Sequence, residues 1–187
     1  MHRSVLAIAL AGLTTFASAG VEFAASDVRG LDYGLVCGPR DGVDVAAPET
    51  DSGTVRRFEG PASIVVTTDR IALEPGATFG VSVVVPPPGA PVVTMTVIHP
   101  PFRETGTEVE RYTTTFEALT PQLNAFTFDL HREMVPGLWT FVAEADGAVI
   151  YRVSFTVTAD GSGASPSEHC RSPDVISRAA GLFRGNG

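Results

Sequence analysis

The 187-residue sequence has no lysine, only two cysteines, and no apolar run long enough to span a bilayer; a membrane helix needs about 20 such residues. Sequence signatures of catalysis are also missing. No Gly-x-Ser-x-Gly elbow is present, which removes the usual exposed serine nucleophile of an α/β-hydrolase. Neither Gly-x-Gly-x-x-Gly nor a Walker pattern occurs, so no glycine-rich loop is available to cradle phosphates. Cys-x-x-Cys is absent, which argues against a thioredoxin-like redox pair and a zinc knuckle. All 13 basic residues are arginine, against 21 acidic ones. Codon usage explains the lack of lysine as readily as function does. The acidic balance matters more, because it would repel nucleic acid and anionic membrane surfaces.

What is present begins with an export signal. Arg3 precedes an apolar stretch, Val5 to Phe16, followed by Ala17-Ser18-Ala19, the small-x-small pattern that signal peptidase admits. Residues 1–19 read as a cleaved signal peptide, with Gly20 as the new N-terminus. The first cysteine, Cys37, lies too far downstream to be lipidated. Loss of Arg3 takes the formal charge from −8 to −9. The expected product is periplasmic or secreted, with no membrane insertion after cleavage. An oxidising compartment favours pairing Cys37 with Cys170, the alternative being two separate thiols. A bridge enclosing nearly the whole domain stabilises by about 5 kcal/mol in the chain-entropy model.

Residues 20–158 are dominated by alternation of period two, which places apolar side chains on one face of a strand. The clearest example is 149–157, with Tyr151, Val153, Phe155 and Val157 in register. It follows 138–144 across Asp146-Gly147, a strong hairpin signal because both residues tolerate positive φ. Further strands are expected in 31–35, 64–68, 79–85, 92–99, 112–116 and 126–130. Turn residues such as Glu74-Pro75-Gly76, Pro100-Pro101 and Pro136-Gly137 separate them. This spacing predicts an all-β, immunoglobulin-like antiparallel sandwich of about seven to nine strands, with a barrel as the alternative. Residues 159–187 read as a flexible Gly/Ser linker and a disulfide-tethered tail. Within that tail, Ser172-Pro173-Asp174 signals either a short helix over 173–183 or the start of a disordered end.

Candidate chemistry is sparse. His131 and Glu133 would share one side of an extended segment, which is too few ligands for a metal. Glu49, Asp51, Glu108 and Glu110 read as solvated carboxylates. No catalytic residue, cofactor or metal is expected. The more promising feature is the turn carrying His99, Pro100, Pro101, Phe102 and Arg103, where an exposed Phe beside an Arg would suit an interface anchor. A Phe102 folded back onto the core is the competing reading.

Several stretches together resemble one bacterial family. They are Tyr33-Gly34-x-x-Cys37, Ala47-Pro48-Glu49-Thr50, His99-Pro100-Pro101, Asn124-x-Phe126-x-Phe128 and Glu133-Met134-Val135-Pro136-Gly137-Leu138-Trp139-Thr140-Phe141. Over roughly residues 28–158 the chain is similar to the domain of unknown function 3859. The resemblance implies a small exported bacterial domain and brings no catalytic or binding residues with it. The function expected from the sequence is non-enzymatic binding of another protein or an envelope component. A hydrolase of envelope polymers and a self-associating structural protein are the alternatives.

Overall fold

The computed structural model describes residues 19–38, 42–58 and 62–170. The apolar leader and the predicted helix over 173–183 lie outside these residues. Twelve strands are found among those described: β1 (Gly20–Ala24), β2 (Gly30–Cys37), β3 (Gly42–Ala46), β4 (Thr54–Phe58), β5 (Ser63–Thr67), β6 (Arg70–Ala72), β7 (Thr78–Val84), β8 (Ala90–Ile98), β9 (Val109–Phe116), β10 (Gln122–Thr127), β11 (Gly137–Ala145) and β12 (Ala148–Thr158). Seven to nine were expected. The additional ones include β1, the β3–β4 pair and the three-residue β6, where alternation is too short or too exposed to read.

The strands form the expected, mainly antiparallel sandwich. One sheet runs β1-β12-β11-β8-β9, with β6 parallel against β12, and the other runs β10-β7-β2-β5. The β3–β4 hairpin belongs to neither sheet. The core follows from the alternation. Tyr151, Val153, Phe155 and Val157 of β12 are buried, as are Trp139, Phe141 and Ala143 of β11. Facing them is Phe79 of β7, whose ring lies 5.2–5.6 Å from those of Phe155, Phe128, Trp139 and Phe141. Such edge-to-face and tilted pairs each add about 0.5–1.5 kcal/mol beyond the burial of area. Next to Phe79, Gly80 lets β10 approach closely, because a Cβ there would run into the Asn124 carbonyl oxygen and the Ala125 backbone. The Asp146-Gly147 turn has the positive φ values, 50° and 76°, that its sequence predicts.

The Gly/Ser segment after β12 is packed against the domain. The Ala164 N–H donates to the Arg70 carbonyl at 2.8 Å, and the Ala164 carbonyl accepts from Ala72 N–H at 3.0 Å, so this stretch extends the ladder beside β6. Ser165 is buried and its hydroxyl donates to Glu74 at 2.6 Å. It also caps a single helical turn, α1 (Pro166–His169), by accepting from Ser167 N–H. The cap signature Ser165-Pro166-Ser167-Glu168 therefore starts a helix seven residues before the one the sequence singled out. The turn delivers Cys170 to Cys37, and the two are disulfide-bonded with Cα atoms 5.5 Å apart.

Replacing both cysteines by alanine is expected to lower unfolding free energy by about 2–5 kcal/mol in a urea titration. A change below 1 kcal/mol would mean that the ladder at Ala164 alone holds the end of the chain.

Candidate functional site

The turn predicted as an interaction loop is largely inward-facing. Phe102 is 2% exposed and His99 4% exposed, whereas Pro101 and Arg103 remain at the surface. The His99 ring is stacked against Phe102, at 4.0 Å and 17°, and against Trp139, at 4.6 Å and 24°. Its Nδ1 lies 2.9 Å from the Pro100 carbonyl oxygen. The reason is packing: Phe102 finds an aromatic pocket against Phe126 and Trp139 that solvent cannot match. An exposed Phe102 anchor is therefore ruled out, and this loop serves as a plug over the end of the core.

His131 and Glu133 also separate. Residues His131–Glu133 form one 3₁₀ turn, which leaves His131 exposed and turns Glu133 inward. The Glu133 carboxylate accepts from Leu130 N–H at 3.0 Å. Burial pushes its pKa up, against the opposing pull of that hydrogen bond and of Arg132. Among the described residues, no three His, Cys, Asp or Glu side chains gather as a metal site would require.

Two of the four carboxylates read as solvated are instead buried and bonded. Asp51, with a side chain 3% exposed, accepts from Arg132 Nε at 2.7 Å and from Thr107 Oγ1 at 2.8 Å. Burial acts to raise its pKa, but hydrogen bonds from Thr105, Thr107 and Arg132, together with the guanidinium charge, outweigh that and hold it below the ordinary value. Glu110 faces inward from β9. Both its oxygens accept from Asp51 N–H, at 3.1 and 3.2 Å, and His99 Nε2 stands 3.8 Å away.

This cluster fixes the β3–β4 hairpin. Its base is the turn from Ala47 to Gly53, where Thr50 Oγ1 donates to the Ala47 carbonyl at 2.8 Å and Arg111 N–H donates to the Glu49 carbonyl at 3.0 Å. Further out, Arg56 bridges Asp44 at 3.1 Å and Asp129 at 3.3 Å. The hairpin thereby stands off the side of the sandwich where β9 ends one sheet and β10 ends the other. A cleft of about 800 Å³ lies between, within the ordinary range for binding sites. It opens into the mouth of the sandwich, where Glu110, Tyr112, Asn124 and Phe126 line it from β9 and β10. Burial drives the Tyr112 phenol pKa far up. Asn124 is 6% exposed, and its side chain reaches the buried Tyr151 hydroxyl, where it opposes part of the rise that burial imposes on that phenol's pKa. Sequence reasoning passed over the cleft, although Asn124 carried a signal: it occupies the same strand face as Phe126 and Phe128, where an apolar residue is expected.

Comparison with known proteins now bears on these features. The model of the family described as "Domain of unknown function (DUF3859)" matches residues 26–157. The chain belongs to this family. The match covers both sheets and the cleft, apart from β1 and the last residue of β12. Among solved structures, the DUF3859 chain is similar to an immunoglobulin-like protein from Pseudomonas aeruginosa, at 14% identity and a TM-score of 0.44, covering 76% of this chain and 98% of that one. No curated protein sequence matches it.

Asp51 sets a pH signature. Its folded-state pKa lies below the ordinary 3.8, so the ionised carboxylate stabilises the fold above that value, and the contribution is lost as pH falls through the lower folded-state value. Asp51→Asn is expected to cost about 1–3 kcal/mol at neutral pH, the usual loss for a hydrogen bond to a charged group. The two proteins should converge in stability as the medium is acidified below 3.8. Urea unfolding across the acid range checks this, and parallel curves would refute it.

Proposed function

We propose that this domain is an exported, non-enzymatic binding module whose contact site is the cleft walled by the β3–β4 hairpin. The observation that carries the reading is a cleft of about 800 Å³ whose rims, β9 and β10, are the terminal strands of the two sheets. The non-catalytic part rests on the buried carboxylates in and beside the cleft. Asp51 and Glu110 spend their oxygens on Thr107, Arg132 and the Asp51 N–H, and Glu133 accepts from Leu130 N–H, so these three are engaged within the fold.

Export is supported by the signal-like leader, by the Cys37–Cys170 bridge, which suits an oxidising compartment, and by β1 beginning at Gly20, the residue expected to follow cleavage. The partner class expected from the sequence, a protein or an envelope component, stays the same. The contact moves from the His99–Arg103 turn to the cleft.

A photo-crosslinking residue at Val45, which lines the cleft, tests the reading against the same residue at Asp146 in the β11–β12 turn. In the producing cell, adducts of defined mass from position 45 and none from 146 are expected, on a protein whose intact mass begins at Gly20. Equal labelling from both positions, no adduct from 45, or a mass that retains Met1 would overturn it.

A further inference from the structure

The partner of this cleft can be specified further, on the footing of the binding role just proposed. We infer that the cleft receives an extended peptide segment, neutral to basic, which adds as a strand to the free edge of β9 with alternate side chains entering the mouth beside Asn124. In an antiparallel ladder, successive residues alternate between bonding the neighbouring strand and pointing away from it. Arg111 N–H points away from β8, since it donates to the Glu49 carbonyl at 3.0 Å. Thr113 has the same parity, so its N–H and C=O face the cleft, and among the described residues neither has a backbone partner. On the opposite rim, Phe128 N–H donates inward to the Ala77 carbonyl at 3.1 Å. Leu123 and Ala125, of opposite parity, therefore turn their backbone groups out to the same cleft.

The chain itself supplies one residue of the missing strand. Glu49 forms an antiparallel bridge with Arg111, and continuation of that pairing would set Ala47 opposite Thr113. The pairing stops at Ala47. Ala47 N–H is turned away to the Gly53 carbonyl at 2.8 Å. The edge is thus started and then vacated, with the hairpin standing off as an outer wall. An open edge is a template for strand addition, in which backbone bonds give affinity and alternating pockets give selectivity.

The side chains define the occupant. Inward residues on the rims are Thr114, Tyr112, Asn124 and Phe126, a mixed apolar and polar surface that suits small β-branched side chains. Asp44, Glu49, Glu110, Asp129 and Glu133 outnumber Arg56, Arg57 and Arg111 around the cleft. The acidic excess favours a segment carrying basic residues over an acidic one.

The test uses the mature, disulfide-intact protein, isotope-labelled for NMR, and a capped seven-residue peptide of alternating valine and threonine between terminal arginines. Saturable binding is expected, with the Thr113 amide gaining at least tenfold protection from hydrogen exchange and the Asn124 side-chain amide signals shifting. Thr113→Pro removes an N–H that the β8 ladder does not use, so the fold should persist while the dissociation constant rises at least tenfold. A peptide with proline at its centre should not bind.

The inference is overturned by failure of the alternating peptide to saturate at millimolar concentration, by binding that ignores Thr113→Pro, or by a Thr113 amide already protected in a dimer without peptide. That last result would make a second copy of this chain the occupant. Adducts from position 45 that survive Thr113→Pro would leave the cleft-binding role standing and discard strand addition alone. Loss of all adducts in the unaltered protein would discard the role itself.

Discussion

The aromatic packing around Trp139 is the constraint on which the cleft end of the molecule depends. Its ring lies 4.6 Å from His99, 4.9 Å from Phe126, 5.4 Å from Phe128 and 5.6 Å from Phe79, and its Nε1 donates to the Val135 carbonyl at 3.2 Å. One side chain thus ties β11 to β7, β10, the turn after β8 and the segment entering its own strand. Without it, the His99–Phe102 stack has no floor and the inner face of β10 has nothing to press against. Close packing of this kind leaves little room for adjustment, so the positions of β9 and β10 are inherited from it.

A second, polar layer is built on that frame. The Trp139–His99–Phe102 stack covers one flank of Glu110, Glu110 holds the backbone of Asp51, and Asp51 holds Arg132 and Thr107. These groups surround the base of a hairpin that neither sheet pairs along its length. The arrangement explains how a two-stranded ribbon, marginal in isolation, keeps a fixed distance from the sandwich. Hydrogen bonds with charged partners hold its base in register, and the Arg56 bridges steady its outer part.

The sequence made the sandwich legible because strand alternation is a local signal. Tyr151 to Val157 and the Asp146-Gly147 turn could be read without knowing the partner strands. The cleft depends on long-range placement. Asp51 meets Arg132 across 81 residues and its N–H meets Glu110 across 59, so their burial could not be inferred from the exposed-looking segments that carry them. Phe102 misled for the same reason: a Phe flanked by Pro101 and Arg103 looks solvent-facing until Trp139 and Phe126 are brought beneath it. Asn124 was the exception, a polar residue at core parity within an apolar strand, and its meaning emerged only when β10 proved to be a sheet edge. At the C-terminal end, the Gly/Ser composition of 160–167 suggested looseness, whereas the backbone groups of Ala164 found an open edge to pair with.

The bridge between Cys37 and Cys170 spans 133 residues of sequence and sits at the far end of the last described element. Its second half is therefore supplied only when the chain has been made as far as residue 170. Any product that stops before Cys170 leaves Cys37 as an unmatched thiol, however well the sandwich has assembled around it. The oxidation state of Cys37 is in this sense a record of how far the chain extends: a single reactive sulfur marks a molecule that stops short of Cys170, and its silence marks one that reaches it.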